Sequence, residues 1–112
     1  MNANTTAKRQ ALRTRTRTQR AAARITRNGA ASLATHALAA GLDIRSARTV
    51  ASSLRTAAKK LAIVGIAVRV HAGRHMRNAT HYSPAQVALI AAKYSPRKPA
   101  YKVAAARLAL AA

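Results

Sequence analysis

Residues 33–70 read LATHALAAGLDIRSARTVASSLRTAAKKLAIVGIAVRV, and a change of period inside this stretch decides the fold. From Ala31 to Ala40, Leu33, Ala34, Ala37 and Leu38 fall on one face of a short helix that Gly41 ends. Leu42-Asp43-Ile44 makes a short connection. Arg45–Leu61 predicts the longest helix of the chain. Val50, Leu54, Ala57, Ala58 and Leu61 repeat there at helical spacing, no Gly or Pro interrupts them, and Gly65 closes the segment. After Gly65 the period becomes 2: Ile66, Val68 and Val70 alternate with Ala67, Arg69 and His71, as in a half-buried strand. Residues 72–78 are polar and hold a turn glycine, Gly73, and Ala79-Thr80-His81-Tyr82 return as a second strand. Ser83-Pro84 opens a further helix, with Pro84 at its favoured first position and Val87, Leu89 and Ile90 as apolar contacts.

Outward from this centre the pattern weakens, dividing the chain into a basic arm at 1–28, a folding domain at 29–92 and a basic Pro/Ala-rich tail at 93–112. In the arm, Arg9, Arg13, Arg17, Arg20, Arg24 and Arg27 are spaced by 4, 4, 3, 4 and 3 residues, so a helix would gather them into one cationic stripe. Ala11, Leu12, Ala22 and Ile25 offer little opposite them. A solvated, disordered arm is the favoured reading, and an arm that turns helical on a phosphate backbone is the other. The composition of residues 1–29 also fits a mitochondrial transit peptide, but the rest of the chain is equally basic. In the tail, residues 103–110 could form a short helix, marginal in water on its own.

Charge sets the partner. Asp43 is the single carboxylate side chain against 21 Lys and Arg, and the formal net charge is +20. So one-sided a field opposes compaction, and a phosphate polymer relieves it while releasing counterions. With no Phe and no Trp, the core is a thin one of Leu, Ile, Val and Ala. There is no cysteine and no apolar run approaching the roughly 18 residues of a membrane span. An enzyme is not expected: metal-assisted phosphoryl chemistry needs clustered carboxylates, and neither a phosphate loop nor a nucleophile elbow is present. His36, His71, His75 and His81 lack a carboxylate or thiol to complete a zinc site and read as polar residues of the hairpin region. No metal or cofactor is expected. Tyr82, Tyr94 and Tyr101 suit apolar packing with a wet hydroxyl or occasional base stacking, and Asp43 suits the helix N-cap.

The exposed face of the 45–61 helix carries the function. Arg45, Arg48, Thr49, Ser52 and Arg55 are candidates for base contact, since a helix fits the major groove and Arg pairs bidentately with guanine. Lys59 and Lys60, with the Arg9–Arg27 stripe, are candidates for the phosphate backbone. Arg69, Arg74, His75 and Arg77 would form a basic wing.

A helix, a tight connection, a longer helix and a hairpin with a basic tip resemble the winged helix-turn-helix superfamily of bacterial and phage regulators. The residues that carry the likeness are Leu33-Ala34 in the supporting helix, Thr49-Val50 and Leu54 in the recognition helix, and Leu61 and Gly65 before the wing. The connection is longer than the family's usual Leu-Ala to Thr-Val spacing. The resemblance implies a mostly α domain with a two-stranded wing and basic, partly disordered arms at both ends. It implies a regulator or architectural factor of a phage or mobile element, bound to double-stranded DNA in a bacterial cytoplasm or nucleoid. Ser95-Pro96-Arg97-Lys98 resembles the Ser-Pro-basic-basic element of linker-histone tails, although an ordinary basic linker explains it more simply. RNA binding is the main alternative, because the arm resembles arginine-rich peptides of phage antiterminators and ribosomal extensions. A sequence-blind DNA-compacting or virion protein is a third reading. The sequence leaves the oligomeric state open, a homodimer included.

Overall fold

The computed structural model describes residues 3–110. Its elements run α1 (Ala3–Asn28), α2 (Leu33–Ala39), α3 (Ile44–Lys60), β1 (Ile66–Ala72), β2 (His75–His81), α4 (Pro84–Lys93) and α5 (Pro99–Leu110). The fold is mostly helical, with one two-stranded antiparallel sheet. Side chains start three of the helices by taking up amide N–H groups that have no partner inside the helix. Ser32 Oγ accepts from the Thr35 amide, Asp43 Oδ1 accepts from the Ser46 amide at 2.8 Å, and Ser83 and Gln86 form a reciprocal capping box.

The core lies where α2, α3, α4 and α5 meet, built on Leu33, Val50, Leu54, Val87, Ile90 and Leu108 with alanines between them. The hairpin pairs from Ile66 with His81 to Ala72 with His75, around the two-residue turn Gly73-Arg74. Gly73 takes φ +66°, the backbone that a tight two-residue hairpin requires at its first central position. The second strand is therefore longer than predicted, and residues 75–78 belong to it instead of a loop. An isolated bridge ties the hairpin's base to the start of α2: Ala31 and Tyr82 exchange backbone bonds of 3.1 and 2.8 Å.

Gly65 does not close α3. Leu61 caps it, and Ala62 follows at φ +56° while the Ile63 amide reaches back to the Ala58 carbonyl at 3.0 Å. That is the helix-ending loop in which glycine is the usual residue. Gly65 serves contact instead. A Cβ there would sit 2.5 Å from Thr80 Cγ2 and 2.7 Å from the His81 carbonyl oxygen.

Both ends depart from the expected disorder. The described part of the first segment is a helix of 26 residues, the longest in the chain and about 39 Å long. Its last turns rest on α2 through Ala21, which is buried, and Ile25, which is half-buried; Leu12 stays 61% exposed. The tail folds as well: α5 packs on α4 and α2, burying Ala104, Ala105 and Leu108. Arg107 Nη1 donates to the Ala40 carbonyl at 2.9 Å, holding α5 to the end of α2. Tertiary contact thus stabilises a segment that is marginal alone. Among the described residues, no helix is long and apolar enough to cross a membrane.

Candidate nucleic-acid interface

One residue set shapes both faces of α3. Ala47, Val50, Ala51, Leu54, Ala57 and Ala58 are buried, and the turns between them place Arg45, Arg48, Thr49, Ser52 and Arg55 in solvent. Lys59 and Lys60 are exposed in the last turn, where cations complement the negative end of the helix dipole. All five candidate base readers therefore share one accessible face. They are not equivalent donors, however. The Thr49 hydroxyl donates to the Arg45 carbonyl at 3.2 Å, and Thr56 donates to the Ser52 carbonyl at 3.3 Å. In the free protein both hydroxyls thus donate to their own helix, and each retains lone pairs that can accept.

Cross-strand register separates the hairpin cations. Val68 pairs with Ala79 and Val70 with Arg77, so Arg77 shares the half-buried face of the sheet. Arg69 pairs with Asn78 on the opposite face. Arg74 occupies the turn, and His75 opens β2; both are exposed. The four wing residues are accessible without forming one cluster.

The fold does bring together residues that the sequence assigned to three different roles. Arg55 and Lys59 of α3 and Arg77 of β2 line one groove of about 480 Å³, with Asn78 and Thr80 beside them. Its cations come from positions 18 and 22 residues apart along the chain, so local periodicity carries no sign of it. On α1, Arg9, Arg13, Arg17, Arg20, Arg24 and Arg27 are all exposed, which makes the stripe a surface feature of the folded protein.

The histidines divide differently from the sequence expectation. His36 is not a hairpin residue but a core one, 3% exposed, with Nε2 2.7 Å from the Tyr82 carbonyl oxygen. Burial pushes its pKa below the ordinary histidine value, the Tyr82 bond opposes this, and nearby His81 adds to the lowering. The capping bonds from Ser46 hold the Asp43 carboxyl below the usual carboxylate range. Burial raises the Tyr94 phenol. Among the described residues, no group of three or more His, Cys, Asp or Glu could hold a metal ion.

Comparison with protein-family models, curated proteins and solved structures finds no match to this chain.

Proposed function

We propose that this protein binds double-stranded DNA as a winged helix-turn-helix regulator or architectural factor, with α3 in the major groove, the hairpin as the wing and α1 along phosphates. The carrying observation is the face of α3. A buried apolar face fixes the helix to the body, while Arg45, Arg48, Ser52 and Arg55 project from the other, and the protein's single carboxylate side chain, Asp43, caps the helix beside Arg45. The bridge between Ala31 and Tyr82 supports the same reading, because it fixes the hairpin relative to the helices. Arg45 and Arg48 lie near the start of α3, where groove-entering helices make base contacts.

A preferred duplex, selected from a random pool, tests this. Arg48→Ala is expected to weaken binding to the preferred site by about 1–3 kcal/mol and to random duplex much less. Equal weakening on both would make α3 a backbone-binding surface and the protein a DNA-compacting factor. RNA binding remains the second reading, favoured by one observation: the arginines of α1 are displayed on a long helix whose last turns rest on the body. Tighter binding to a hairpin RNA than to the selected duplex, at one salt concentration, would establish it.

A further inference from the structure

A second groove, of about 490 Å³, lies between the C-terminal turns of α1 and the helices α2, α4 and α5. That volume falls within the roughly 300–1,000 Å³ of small-molecule sites, which combine apolar walls with a few convergent polar groups. Ala22 and Ile25 form one wall, and Val87 and Leu108 face the groove from the body. Thr26 also borders it, but its hydroxyl donates to its own helix at the Ala22 carbonyl. Two polar groups remain, His36 and Arg107.

Their chemistry is specific. His36 Nε2 faces a carbonyl oxygen, which only accepts, so the ring proton sits on Nε2 and Nδ1 is a lone-pair acceptor. His36 lines the groove, and its one hydrogen bond uses Nε2, which leaves Nδ1 as the ring's acceptor. Arg107 gives Nη1 to Ala40, and its remaining N–H groups have no carboxylate side chain to meet, since Asp43 caps α3. A cation at one point attracts a single anionic group. An acceptor lone pair at the other disfavours a second one.

We infer that this groove binds a small monocarboxylate with an apolar body, its carboxylate on Arg107 and its chain against Ile25, Val87 and Leu108, and that occupancy repositions α1. Repositioning follows because the turns that attach α1 to the body are those that form the groove wall. The consequence for nucleic-acid affinity rests on the proposed function, whereas binding itself does not.

Octanoate is a suitable probe, with 1-octanol, octylamine and the dianion suberate as controls. Each is titrated into the full chain by two-dimensional NMR at about 0.15 M salt, where exposed charges are screened beyond about 8 Å. Octanoate is expected to shift the Ala22, Ile25, Val87 and Leu108 signals saturably and to bind at least about 10-fold tighter than each control. Attraction by net charge alone would rank suberate first. Ala22→Phe, at an exposed position, should fill the groove and abolish the response. Arg107→Gln should reduce octanoate to the level of octanol. The absence of saturable shifts, suberate binding more tightly than octanoate, or octanoate binding unchanged by Ala22→Phe would each overturn the site. A saturating octanoate concentration should also change the affinity for a mixed-sequence duplex by several-fold. Saturable binding with unchanged duplex affinity would overturn the coupling to α1. Failure to bind duplex without octanoate would instead count against the proposed function.

Discussion

Ala62 holds a left-handed backbone, φ +56°, that costs an L-residue about 1–2 kcal/mol and glycine almost nothing. Ala62→Gly should therefore stabilise the fold by about 1 kcal/mol, read as a higher urea midpoint with unchanged slope. The opposite holds three residues on, where Gly65→Ala should lower the midpoint because a Cβ would collide with Thr80 and the His81 carbonyl. His36 gives the fold a pH dependence of known sign. Its folded pKa is lowered, so below the unfolded value of about 6.5 the unfolded chain takes a proton that the folded one refuses. Stability should fall as pH drops from about 7.5 to about 5.5, and His36→Gln, which keeps a donor for the Tyr82 carbonyl, should flatten that dependence. The groups around His36 are the Tyr82 carbonyl, His81 and Arg107. A melting temperature equally pH-sensitive in both proteins would place the titration elsewhere.

Among the elements, α5 and α1 both pack on the body, and α1 also displays the cations assigned to the phosphate backbone in the proposed function. Leu108 on α5 is buried against α4 and α2, so Leu108→Ala should cost about 2–5 kcal/mol in denaturant unfolding. A solvated tail would lose almost nothing. If the α1 cations act through phosphates as proposed, removing residues 1–28 should weaken preferred and random duplexes by similar factors and flatten the salt dependence. The central elements were legible in the sequence: α2, α3 and α4 carry aliphatic periodicity with a Ser or Asp cap before them, and the strand period begins at Ile66. The ends were not, since the contacts that dock them are largely alanines, Ala21, Ala104 and Ala105, in segments full of other alanines. Hydropathy cannot distinguish a buried alanine from an exposed one. The exposed face of α3 could be read for the same reason that its buried face could. The meeting of Arg55, Lys59 and Arg77 could not, because it depends on how the hairpin folds back toward α3.

For the whole molecule, a net charge of +20 opposes compaction by self-repulsion and favours an anionic partner. With Asp43 committed to a helix cap, most of the neutralising negative charge comes from solvent anions or a partner. Moderate salt, phosphate or duplex DNA should each raise the melting temperature, the first two by screening and the last by binding the folded charge array. The most direct test of the central claim is the affinity for duplex DNA measured across a salt series, with a hairpin RNA in parallel. With roughly 6–10 phosphates engaged, duplex affinity should fall about 10³–10⁵-fold between about 50 and 200 mM salt and exceed that for the RNA at each concentration. Duplex binding that barely changes over this range, or a steady preference for the RNA, would contradict it.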